Sequence, residues 1–180
     1  MKEIDKIELQ FNKSKISLYI LVTIIFVVIG VLFSTHPENF NSLKIRNPNF
    51  IRIVGILAII FFGTAVFFIF LKLFDKKSAL IIDETGIIDY TNFSSIGLIK
   101  WEDIQEIKTE KVASTKFILI YVFNPEIYLN KAKGLKKLLL KGNNLQYKTP
   151  LSITFSTIKC DFNQIEKFIY ETFERQRKKT

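Results

Sequence analysis

A chain of 180 residues that is 48% apolar, with only 7 Gly and 4 Pro, has enough hydrophobic material for a packed core and is not a low-complexity chain. A single cysteine, Cys160, excludes an internal disulfide, and one histidine beside one cysteine argues against a zinc site. The formal net charge of +9 favours an anionic partner, either a lipid headgroup layer or nucleic acid.

Residues 1–15 are polar and charged, and Ile4, Ile7, Leu9 and Phe11 supply a short strand signal. Residues 16–33 and 53–71 follow as two runs of 18 and 19 residues without a charge. At about 1.5 Å per residue each run reaches roughly the thickness of a bilayer's hydrocarbon core. They predict a two-helix transmembrane hairpin over 16–73, joined by a polar loop at 34–50 that has neither helical nor strand period. The charged leader and the lack of a small-residue cleavage site argue against a signal peptide. Gly55, Ala58, Gly63 and Ala65 are small enough for close helix approach, although no GxxxG is present. The outer flanks hold Lys2, Lys6, Lys13, Lys15, Lys72, Lys76 and Lys77, against Lys44, Arg46 and Arg52 in and beside the loop. That asymmetry places both termini in the cytoplasm of a multi-pass protein of the plasma (inner) membrane.

A water-soluble domain is predicted over 78–176. Short strands are read at 79–83 and 87–90 about a Glu-Thr-Gly turn, then at 96–101, 116–123 and 149–155. Residues 126–141 read as one helix, with Ile127, Tyr128, Ala132, Leu135, Leu138 and Leu139 on an apolar face and lysines opposite, closed by Gly-Asn-Asn at 142–144. Asp161 caps a last helix over 161–176, with Gln164 in the capping-box position and Phe162, Ile165, Phe168, Ile169 and Phe173 as its apolar stripe. The fold class is a membrane α-hairpin plus α+β. The β part is a partly open barrel, or two orthogonal antiparallel sheets, capped by the C-terminal helix.

Leu-Ile-Ile-Asp-Glu-Thr-Gly-Ile-Ile-Asp at 80–89, then Ile-Gly-Leu-Ile-Lys-Trp-Glu-Asp-Ile-Gln-Glu-Ile at 96–107, resembles the opening of bacterial pleckstrin-homology-like domains that follow an N-terminal two-helix hairpin. The resemblance implies that Gly86 serves the turn, that Trp101 and Ile104 are core, and that Asp103 makes a local hydrogen bond. It carries over no catalytic residue. The basic stretch 131–141 has no counterpart in that pattern.

The residues nominate no catalytic, metal-binding or cofactor-binding site. His36 lies in the hairpin loop, away from any nucleophile in the domain. Glu102, Asp103 and Glu106 read as solvated charges, and Cys160 as a small buried residue. The best functional candidate is Lys131, Lys133, Lys136, Lys137 and Lys141, a basic face for anionic lipid headgroups, with an ordinary surface helix as the alternative. The expected function is interaction without catalysis, the domain scaffolding a protein partner, self-associating, or sensing the bilayer surface. A subunit or accessory component of a membrane transport or enzyme complex is the alternative, and tethering to a bilayer argues against nucleic acid.

Overall fold

The two apolar runs hold neither proline nor charge, so nothing in them interrupts a helix. In the computed structural model, which describes residues 6–40, 47–74, 77–112 and 115–178, helix α1 spans Lys13–Thr35 and α2 spans Pro48–Leu73. At 23 and 26 residues they are about 35 and 39 Å long, and both are apolar enough to cross a membrane. They overrun the predicted windows because the polar flanks continue the helix. Asn47 caps α2 by accepting from the Asn49 amide at 3.0 Å, and Pro48 takes the first turn, where its missing N–H costs nothing. The connecting loop is not featureless, since Pro37–Phe40 forms a 3-10 turn, while residues 41–46 lie outside the described ones.

The chain divides into two compact units, Lys13–Lys76 and a second made of Met1–Asn12 with Lys77–Thr180. Within the hairpin, the backbones of α1 and α2 come into close contact at Gly30 and Gly55. A Cβ on Gly55 would lie 2.7 Å from the Gly30 carbonyl oxygen and 2.7 Å from the Ser34 nitrogen. The Phe26 and Phe62 rings stack at 4.7 Å. Gly63, expected among the packing residues, has open space around it instead. Only Ile16 and Gly30 of α1 and Ile51 and Gly55 of α2 are buried, and most of the other apolar residues of the two helices are exposed. The threonine hydroxyls of the helices bond back along the chain, Thr23 to the Tyr19 carbonyl and Thr64 to Ile60, each at 2.6 Å, which removes a donor that lipid could not satisfy.

The other unit is α+β. Strands β1 (Ile7–Leu9), β2 (Leu80–Ile82), β3 (Gly86–Asp89) and β4 (Gly97–Lys100) form one antiparallel sheet in that order. Strands β5 (Ile104–Val112), β6 (Thr115–Val122) and β7 (Leu151–Thr154) form a second. Between β6 and β7 lie α3 (Pro125–Lys131) and α4 (Gly134–Tyr147), and α5 (Phe162–Arg177) ends the unit. β1 is separated from its partner by the whole hairpin, yet Ile7 faces Ile82 and Leu9 faces Leu80. Ile4 lies outside the described residues. Past β1 the chain crosses to the second half of the unit, where the Asn12 amide donates to the Thr157 carbonyl at 2.7 Å and the Lys159 amide to Gln10 at 3.2 Å. The two sheets are thus joined at one corner by N-terminal residues.

The core follows the sequence pattern in the strands. Leu80, Ile82 and Ile87 are fully buried, and Ile118, Leu119 and Ile120 are buried in succession because β6 is central and covered on both faces. Ile165, Ile169 and Phe173 of α5 are buried as the stripe requires, joined by Thr172, while Phe162 and Phe168 are half-buried. Asp161 caps α5, its carboxylate accepting from Asn163 at 2.8 Å and Gln164 at 3.3 Å. Cys160 is half-buried, where full burial was expected, because it sits in the exposed turn leading to that cap.

Candidate interaction surface

The segment after β6 departs most from its sequence reading. Asn124 caps α3 through the Glu126 amide at 3.2 Å, and Pro125 opens the helix. At Ala132 and Lys133 the backbone turns extended, and Gly134 then takes φ +55°. A glycine reaches that conformation at little cost, so the helix breaks here instead of merely weakening. The break resets the phase of everything after it. α4 also continues through the expected Gly-Asn-Asn stop to Tyr147, where Lys148 ends it in the left-handed region at φ 61°.

The two resulting helices share the apolar residues differently from one continuous helix. Tyr128, Leu129, Ala132 and Leu140 are buried, and Leu129, Ala132 and Leu140 pack with Ile96. Leu135, Leu138, Leu139 and Leu145 are 61%, 65%, 42% and 78% exposed, and Ile127 is also exposed. Of the apolar face read from the sequence, Tyr128 and Ala132 therefore pack on the domain, while Ile127, Leu135, Leu138 and Leu139 point away from it. α4 holds on through Leu140, because after the reset that leucine alone turns inward.

The five predicted lysines fall into two groups. Lys131 lies over the Tyr128 ring, its Nζ 4.6 Å from the centroid, and Lys137 donates to the Asn130 side chain at 3.0 Å. Lys133, Lys136 and Lys141 make no such contact among the described residues. Lys148, which the sequence reading passed over, belongs with them at the end of α4. From 127 to 160 the chain carries seven lysines and no carboxylate.

The residues of the opening motif lie on β2 to β5 and the turns between them. Gly86 begins β3 with φ +157°, and a Cβ there would lie 2.1 Å from the Ile99 carbonyl oxygen. It is required by the close β3–β4 approach as well as by the turn. Asp83 closes that turn, accepting from the Thr85 amide at 2.8 Å and the Gly86 amide at 3.3 Å. Burial pushes the Asp83 carboxyl up, but hydrogen bonds from Thr85 and Gly86 outweigh it and leave the group below its ordinary range. Trp101 is 7% exposed and donates its indole N–H to the Asp83 carbonyl at 2.8 Å. Ile104 is buried at the start of β5.

Asp103 does not make the expected local bond. It accepts from the Tyr128 hydroxyl at 2.7 Å, across 25 residues. The 3-10 turn Trp101–Asp103 aims the carboxylate at α3 instead of at its own backbone. Burial, then the bond to Asp103, push the Tyr128 phenol well above its usual value.

Between the β2–β3 turn, β4 and the end of α5 there is a groove of about 840 Å³. Leu98, Trp101, Phe123 and Phe173 make its apolar walls, and Phe123 is 70% exposed. Of its charged rim, Lys100 is paired with Glu102 at 2.9 Å. Among the described residues, no group of three or more His, Cys, Asp or Glu side chains could hold a metal ion.

Comparison with known proteins adds no functional assignment: no family model, curated protein or solved structure matches this chain significantly.

Proposed function

We propose that this chain is a multi-pass protein of the plasma (inner) membrane that presents a pleckstrin-homology-like domain in the cytoplasm and works by binding, not by catalysis. The observation that carries this reading is the insertion, between the first and second strands of an α+β unit, of a helical hairpin whose inner runs 16–33 and 53–71 hold no charge and are largely exposed. An outward apolar surface of that extent would cost tens of kcal/mol in water and nothing in lipid. The resemblance of 80–107 to pleckstrin-homology-like openings is supported by strands grouped as four and three with a helix after the last. The basic flanks of the hairpin support cytoplasmic termini. The surface offered for binding is α4, whose Leu135, Leu138, Leu139 and Leu145 the domain leaves uncovered.

Single-cysteine labelling of intact cells tests the reading. In a Cys160→Ser background, Asn39→Cys should react with a membrane-impermeant maleimide and Lys111→Cys should not. The reverse pattern would invert the topology, and labelling of both would rule out a membrane-embedded hairpin with a cytoplasmic domain.

A further inference from the structure

We propose that α4 lies in the plane of an anionic leaflet, with Leu135, Leu138, Leu139 and Leu145 at the acyl boundary and Lys136 and Lys141 among the headgroups on either side. This rests on the reading of the chain as membrane-anchored. At 100° per residue the four leucines fall within about 120° of arc, with Gly142 and Gln146 inside it and Leu140 on the far side. Lys141 borders the arc on one edge and Lys136 on the other, the arrangement of a helix that lies in a membrane interface. α4 is tied to its own domain through Leu140, at 1% exposure, so the leucine face is left over once folding is complete.

Charge selects the occupant. A second copy of this face would bring together two segments that each hold seven lysines and no carboxylate over 127–160. A bilayer with anionic headgroups reverses the sign of that interaction. The bilayer is also covalently at hand, because the chain passes directly from Asn12 to Lys13 and returns between Lys76 and Lys77. Such short joints give the helix a high effective concentration at the surface, so a face too weak to bind from solution suffices here.

The experiment uses the full chain in vesicles, with Leu138→Cys carrying a polarity-sensitive fluorophore in the Cys160→Ser background, and Phe61→Cys of α2 as a second labelled variant. Phe61 is 69% exposed on a helix that would span the bilayer. In phosphatidylcholine mixed with phosphatidylglycerol, the label at 138 should shift to the blue and be quenched by a lipid-borne shallow quencher. Pure phosphatidylcholine or high salt should reduce the bound fraction about tenfold. Leu135→Ser with Leu139→Ser should abolish the shift without unfolding the chain, since both side chains are already exposed. If the label at 61 is quenched and the label at 138 is not, the in-plane helix is wrong and the anchor stands. If 61 is not quenched by a deep quencher, the anchor itself fails and this inference with it. A blue shift at 138 that depends on protein-to-lipid ratio and not on lipid charge would mean that a second copy covers the face, and would also overturn the proposal.

Discussion

Two contacts show how single atoms hold the domain unit in register. The first is Gly86, where the Ile99 carbonyl occupies the space a Cβ would need. Gly86→Ala should cost about 2–4 kcal/mol, because the backbone of a paired strand must move. Gly142→Ala, inside α4 with open space around it, should instead stabilise by up to about 1 kcal/mol. Thermal unfolding of both variants in mild detergent separates them, and a similar loss in each would refute the steric account. The second contact is the Tyr128 hydroxyl on Asp103. Tyr128→Phe leaves the carboxylate without this donor and should cost about 1–3 kcal/mol. The pH dependence follows from its sign. The folded phenol titrates above its ordinary value, so its contribution is intact below about pH 10 and declines as the pH rises toward the folded value. The native chain should therefore lose more stability than Tyr128→Phe between about pH 8 and about pH 11. Equal losses would show that the phenol is not held neutral.

Elements were legible in the sequence to the degree that local pattern decided them. The hairpin, the buried run of β6, the alternation of β7 and the Asp161 cap all rest on periodicity or on a side chain two or three residues from its partner. The α3–α4 segment failed because its outcome turns on the φ of Gly134, and one glycine can either weaken a helix or break it. Once broken, the angular phase restarts, and residues read on one apolar face separate, Tyr128 and Ala132 inward and Leu135, Leu138 and Leu139 outward, while the lysines divide between the Tyr128 ring, Asn130 and solvent. Lys148 was missed because it lies past Gly-Asn-Asn, which reads as a stop. In the hairpin, Gly55 was visible as a small residue, but its counterpart Gly30 could be found only from the helix pairing. That pairing is testable. In the Cys160→Ser background, Phe26→Cys with Phe62→Cys, at positions whose rings stack at 4.7 Å, should be joined in the membrane by a short bis-maleimide cross-linker. Adding Gly55→Leu should abolish the cross-link, whereas Gly63→Leu should leave it intact, since nothing lies within 4 Å of Gly63. Loss of the cross-link with both would mean that bulk on α2, and not the Gly30–Gly55 contact, controls the approach.

At the scale of the whole chain, the hairpin is an insertion within a folding unit and not a leader in front of one. β1 lies on one side of it and the remaining strands on the other, and both ends of the break meet at the same place, with the Ala79 amide donating to the Leu9 carbonyl at 2.7 Å. Gln10 and Glu8 reach Ser78 across the same junction, at 3.0 and 2.9 Å. Residues 10–12 also pair with 157–159, so the N-terminal segment supplies both an edge strand and the corner that closes the two sheets. Cutting the chain at residue 76, the obvious way to make a soluble domain, would remove that corner and expose Leu80, Ile82 and Ile158, all at most 2% exposed. An apolar edge strand freed in this way is a site for aggregation. Replacing residues 13–76 with a short Gly/Ser linker should instead give a soluble monomer that unfolds cooperatively, because the linker joins two ends already in contact. Residues 77–180 alone should aggregate or show no cooperative transition, and adding 6–12 through the linker should restore it. A fragment 77–180 as stable as the linked form would show that β1 is dispensable, and the unit would then be complete without the strand that the membrane hairpin separates from it.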